Sequence, residues 1–204
     1  VKSVLNFIVK PLHSNRYNNK KKIGDKELIL NTDNFSHKFV NRHAIVIEVP
    51  SVGDTNIKKG DLVIVHHNVF RRWNDIRGVE KDSKSYYKDD MYFVYPDQIF
   101  LYKRNNDWIA NESFCFVKPI KSKSNSIFNE DKEQPLTGVL KYPDTNLIEA
   151  GLKAGDLVGF RPNTEYEFII DNSKMYRIFS NSITIKYEYQ GDEKEYNPSW
   201  AESS

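Results

Sequence analysis

The chain has 204 residues, 39% of them apolar and 28% charged, with a formal net charge of +2. That near-neutral balance points to no polyanionic partner, and a single cysteine, Cys115, excludes an internal disulfide framework or a cysteine-rich metal site. No apolar run approaches the roughly 20 residues needed to cross a bilayer, and the N-terminus lacks the layout of a signal peptide; no membrane partner and a cytoplasmic location are therefore expected.

In chain order, "NFIVKPL" reads as a strand ending at a proline, and a long Asn- and Lys-rich stretch follows over residues 13–41. Next come the alternating strand "HAIVIEVP", the Gly-Asp strand "IKKGDLVIV", a turn region "WNDIRGVEKDSKS" and two closing strands in "MYFVYPDQIFLYK". "NNDWIANES" forms a junction over residues 105–113. The same phrases then return in the same order, as "SFCFVKPI", "TGVLKYP", "LKAGDLVGF" and "MYRIFSNSITIKY". Four matched anchors in sequence mark an internal duplication.

Branched and aromatic side chains dominate these runs, as suits a pleated, half-buried surface. The expected fold is all-β, with two tandem small antiparallel β-barrels, because closure removes exposed sheet edges. The boundaries read as 1–104, with its long loop at 13–41, and 112–189, with a shorter loop at 121–135. A polar tail covers 190–204. Gly60 and Gly155 precede an aspartate where a tight turn enters a strand, a scaffold role. Cys115, inside "FCFV", reads as a small buried apolar residue.

The first loop carries one apolar triplet, Leu28-Ile29-Leu30, in otherwise polar surroundings. Loops of this length are usually functional or disordered. The triplet is either a home-packed strand or a surface for a partner. The second loop offers only Ile127-Phe128.

In the order and spacing of these phrases the chain resembles the GroES-type co-chaperonins, as two tandem copies covering most of its length. That family runs a first strand into "RP" or "KP", then a mobile loop with an "IVL"-like triplet, a "GEVLAVG"-like strand, a "VKVGDIVIF"-like strand and a final strand. The resemblance implies two GroES-like barrels in a homo-oligomeric ring that caps a GroEL-type chaperonin and assists protein folding. It implies that Leu28, Ile29 and Leu30 bind the chaperonin, with Ile127 and Phe128 as a second, weaker contact. The gaps "SVGDTN" and "DTNLIEAG" are too short for the family's roof hairpin, so an open or differently closed top is expected, as in phage co-chaperonins.

Other patterns carry less. His66-His67 with His43 suggests a metal site, but neighbours on a strand point to opposite faces, so no metal is expected. "VFRRWND" and "SYYKDDMYFVY" mix basic and aromatic residues as single-strand binders do, which makes a nucleic-acid-binding barrel the alternative function. Acidic residues inside the same stretches, and the net charge, disfavour it. "EAGLKAGDLV" is similar to part of a PDZ domain without its carboxylate-binding loop. No phosphate loop, nucleophile elbow or zinc helix is present, so neither catalysis nor a cofactor is expected.

Overall fold

The computed structural model describes residues 2–17, 20–23, 26–29, 40–122, 133–188 and 193–202. The chain divides into two compact units, Val1–Asp107 and Trp108–Ser204. That division falls inside the junction stretch 105–113. Strands dominate both units, and every paired ladder is antiparallel.

The first unit contains β1 (Phe7–Pro11), β2 (Lys20–Ile23), β3 (Lys26–Ile29), β4 (His43–Glu48), β5 (Leu62–Val65), β6 (Trp73–Asn74), β7 (Glu80–Lys81), β8 (Tyr86–Lys88), β9 (Met91–Val94) and β10 (Ile99–Arg104). β11 (Asp107–Ala110) leads out of it. Its main ladder runs β10-β5-β4-β1-β9-β8, while β2-β3 and β6-β7 are separate hairpins. Alternation supplies the core. Phe7 and Val9 of β1, Ala44 and Val46 of β4, Val63 and Val65 of β5 and Tyr92 and Val94 of β9 join one buried cluster. Each large aliphatic or aromatic side chain so placed is worth about 1.5–3 kcal/mol.

The second unit contains β12 (Phe114–Lys121), β13 (Glu133–Tyr142), a short helix α1 (Thr145–Glu149), β14 (Leu157–Phe160), β15 (Tyr166–Ile170), β16 (Ser173–Phe179), β17 (Ile183–Tyr187) and α2 (Ser199–Glu202). The 6-stranded sheet runs β17-β14-β13-β12-β16-β15. Strand for strand, this is the order of the first unit.

The registers match as well. Val9 faces Val46 and Tyr92; at the equivalent place Val117 faces Leu140 and Tyr176. Ile99, Leu101 and Tyr102 face Val65, Ile64 and Val63, while Ile183, Ile185 and Lys186 face Phe160, Gly159 and Val158. The irregularity after the first pair is reproduced in both. The Gly-Asp turn is copied bond for bond. Gly60 N–H donates to Val46 O and Gly155 N–H to Leu140 O, both at 2.8 Å. Asp61 and Asp156 accept from Lys58 N–H at 2.8 Å and Lys153 N–H at 2.9 Å. The two glycines sit at φ +91° and +93°, left-handed values that a Cβ makes unfavourable.

The sheets differ from the expected barrels in one respect: neither ladder closes on itself among the described residues. The 7-stranded sheet, in which β11 flanks β10, ends on β11 and β8, and the 6-stranded sheet ends on β17 and β15. β16 and β17 both contribute to the cluster built on Cys115, Val117, Leu140 and Val158, through Ile178 and Ile183. No hairpin stands in either roof gap. Ser51–Asn56 forms no strand, and the second gap folds as α1, capped by Asp144, whose carboxylate accepts from Leu147 N–H at 3.0 Å.

The polar tail takes part in the fold where it is described. Residues 193–202 are folded onto the second unit, because Glu195 bridges to Ile120 and the side chains of Pro198 and Ala201 are buried. Among the described residues no helix is long and apolar enough to cross a membrane.

Candidate partner-docking site

The predicted docking triplet lies in the excursion between β1 and β4. Leu28 and Ile29 occupy β3, opposite Lys21 and Lys20 of β2, so that part of the loop has hairpin backbone. Leu30 lies outside the described residues, as do Ile127 and Phe128 of the second excursion.

What is sharply defined is the neck from which the first excursion springs. Tyr17 pairs with Val40 in an isolated antiparallel bridge, and both residues are buried. Asn41 N–H donates to Arg16 O at 2.9 Å. The Asn41 side-chain amide donates to the carbonyl oxygens of Asn15 at 2.5 Å and Leu12 at 3.3 Å, while its oxygen accepts from His43 N–H at 2.9 Å. The neck is tied to the rest of the unit at two further points. Tyr17 Oη accepts from Arg72 N–H at 2.7 Å, and Arg16 pairs with Asp82 at 2.7 Å while lying over the Tyr92 ring at 5.3 Å. Burial raises the Tyr92 phenol above its ordinary range, against the opposing pull of Arg16. A buried bridge and a saturated amide thus hold the two ends of the excursion together.

The second excursion leaves from the equivalent place, after Pro119, but its neck is closed differently. The β12–β13 ladder continues past a bulge to Lys121 opposite Glu133. Glu133 then accepts from Lys174 Nζ and from Tyr176 Oη, each at 2.5 Å. The ammonium of Lys174 also meets Glu167 at 3.1 Å and faces the Trp200 ring at 5.8 Å. Burial alone lowers the Lys174 pKa, but the bonds to Glu133, Tyr176 and Glu167 outweigh it and raise it. Burial and the Glu133 bond push the Tyr176 phenol up to about 12. Both groups keep their protons at neutral pH and act as a clamp. The C-terminal segment completes this neck, with Lys121 N–H donating to Lys194 O and Tyr196 N–H to Pro119 O, both at 2.8 Å. Glu195 bridges Lys118 and Lys141; burial opposes its charge, yet those two bonds hold its carboxyl below the usual range.

Cys115 is fully buried, and burial, aided by the charge of Asp144, pushes its thiol up to about 12. That makes it inert packing, not a nucleophile. The rings of His66 and His67 stack at 4.3 Å, and His66 Nδ1 accepts from Asn68 N–H at 3.1 Å, which assigns it a turn-capping role. In the basic-aromatic stretches Arg72 pairs with Glu80 at 3.0 Å, and Trp73 Nε1–H donates to Asp82 O at 3.1 Å. Sequence reasoning found the excursion but missed its neck. A lone asparagine and tyrosine in polar surroundings carry no periodic signal.

Neither the protein-family models nor the curated proteins give a match to this chain.

Proposed function

We propose that the chain is a co-chaperonin: two tandem GroES-like folds that assemble as a homo-oligomeric ring in the cytoplasm and cap a GroEL-type chaperonin. Docking runs through Leu28, Ile29 and Leu30, with Ile127 and Phe128 as a weaker second contact. The observation that carries this reading is where the excursions spring from. In both units an excursion leaves between the first strand, which carries the Lys-Pro pair, and the alternating strand, where the resemblance puts the docking loop.

The energetics suit a reversible lid. Three aliphatic side chains supply on the order of 1.5–3 kcal/mol each when buried. Ordering a loop opposes this by roughly 1–2 kcal/mol per backbone residue fixed. The pinned Tyr17–Val40 neck confines that cost to the excursion itself. One loop then binds weakly and a ring of loops binds well, because the first contact raises the effective concentration of the rest. ATP hydrolysis belongs to the partner.

The second-ranked reading, a nucleic-acid-binding barrel, is weakened by the pairing of Arg16, Arg72 and Lys81 with Asp82, Glu80 and Asp75. A pull-down with a GroEL-type chaperonin and nucleotide separates the two. The wild-type chain is retained and Ile29→Asp, with an unchanged circular dichroism spectrum, is not. Equal retention of both refutes the loop assignment.

A further inference from the structure

The β6–β7 hairpin is an elaboration of the first unit alone, since the corresponding connection in the second unit is the short turn 161–165. Its tip is rigidly built. Asp75 accepts through one carboxylate oxygen from Arg77 N–H at 2.9 Å and Val79 N–H at 3.0 Å. Asp75 N–H donates to Val79 O and Gly78 N–H to Asp75 O, both at 2.9 Å. On this fixed frame Ile76 is wholly exposed, at 104% of its reference area, and Trp73 and Val79 are each 49% exposed. Single exposed apolar residues are ordinary; three on one braced hairpin form a patch. Beside Ile76 stands Arg77, whose side chain meets no carboxylate among the described residues.

A complementary surface exists on the second unit. Ile120, Val139 and Leu157 form a small buried cluster distinct from the main core. Over it lies a hollow of about 350 Å³ lined by Ile120, Leu157 and Tyr187, with Glu188 and Glu193 also on its wall. Glu188 is exposed and has no cationic partner among the described residues. Tyr187 and Ile185, on the edge strand β17, are 39% and 48% exposed. The tip is apolar and basic; the hollow is apolar and acidic.

We propose that the Ile76–Arg77 tip of one chain seats in the Leu157–Tyr187 hollow of a second copy, with Ile76 on the apolar floor and Arg77 facing Glu188. Two different patches meet, so the contact is head-to-tail and propagates, closing into a ring or growing as an open chain. Burial of Ile76 supplies affinity, and the charge match supplies orientation. An anionic membrane is the other surface a basic apolar tip suits, and vesicle binding in the test below reads it out. This contact supplies the ring of the proposed function and rests on that reading: a single-chain mass sinks both, whereas a wild-type assembly that Arg77→Glu leaves intact sinks only the contact.

The test is the mass of the full chain in solution, by native mass spectrometry and sedimentation, for wild type, Arg77→Glu and Glu188→Arg. Wild type self-associates, and each variant alone does so at least about tenfold more weakly. Mixing the two variants restores assembly with strict 1:1 composition, because each then supplies the charge the other needs. Ile76→Asp also dissociates the assembly and is not rescued by Glu188→Arg. A wild-type chain of single-chain mass at every soluble concentration overturns the proposal. So do variants that assemble like wild type, or an Ile76→Asp variant whose only defect is lost binding to phosphatidylserine vesicles.

Discussion

The two units pair equivalent strands in equivalent registers but differ in side chains within the ladder and in how each excursion is closed. Opposite Pro11 the first unit has Ala44; opposite Pro119 the second has Gly138. The first excursion is closed by a buried tyrosine bridge and an asparagine, the second by a lysine clamp and the C-terminal segment. The ladder is what the two halves share, while the necks and tips are where they differ.

The sharpest way to break the symmetry is Gly138→Ala. A Cβ there lies 2.5 Å from both Lys118 O and Val117 Cγ1, and the first of these is backbone that cannot swing aside. The expected loss is about 3 kcal/mol, confined to the second unit. The reciprocal Ala44→Gly costs about 1 kcal/mol in the first. Denaturant unfolding, followed by unit-resolved hydrogen exchange, checks both.

Gly60→Ala and Gly155→Ala test the symmetry itself. A Cβ meets no atom within 4 Å at either position, so the left-handed backbone alone sets the cost. About 1–2 kcal/mol is expected for each, equal between units. Unequal values in the same unfolding measurement contradict the copied turn.

Asn41→Ala opens the first neck. It removes the donor to Asn15 O and Leu12 O and the acceptor for His43 N–H, and about 1 kcal/mol is expected. Faster amide exchange at Val40 and Asn41, with no change at Lys121, is the signature.

The smallest effect is acid release of the second neck. The Glu195 carboxyl titrates lower in the folded state than in the unfolded chain, so its contribution is present above about pH 4.3. That contribution fades as pH falls through the lowered folded value. Its half-exposed position keeps it small. The protection factors of the Lys121 and Tyr196 amides, taken relative to the intrinsic exchange rate at each pH, fall in acid, and Glu195→Gln removes that change in protection.

Much of the ladder was legible in the sequence because burial on one face imposes alternation. Phe7/Val9, Ala44/Val46 and Cys115/Val117 show their inward positions directly, and the Gly-Asp turn announces itself by residue type. Closure was not legible, since whether β15 meets β17 depends on the summed bend of the whole ladder. Nor was the docking of 193–202. Its composition is polar, and the burial of Pro198 and Ala201 exists only once Asn197 accepts from Lys174 N–H at 2.9 Å, far away in sequence. The candidate docking excursion was visible as a long polar insertion with one apolar triplet. Its neck was hidden, because Tyr17, Val40 and Asn41 acquire meaning only as a set.

The most direct test of the central claim compares the two excursions in one assay: nucleotide-dependent capture of a GroEL-type chaperonin by wild type, Ile29→Asp and Phe128→Asp. The account predicts capture by wild type, near-complete loss with Ile29→Asp and a modest weakening with Phe128→Asp. No capture by the wild-type chain, or equal capture by all three, contradicts it.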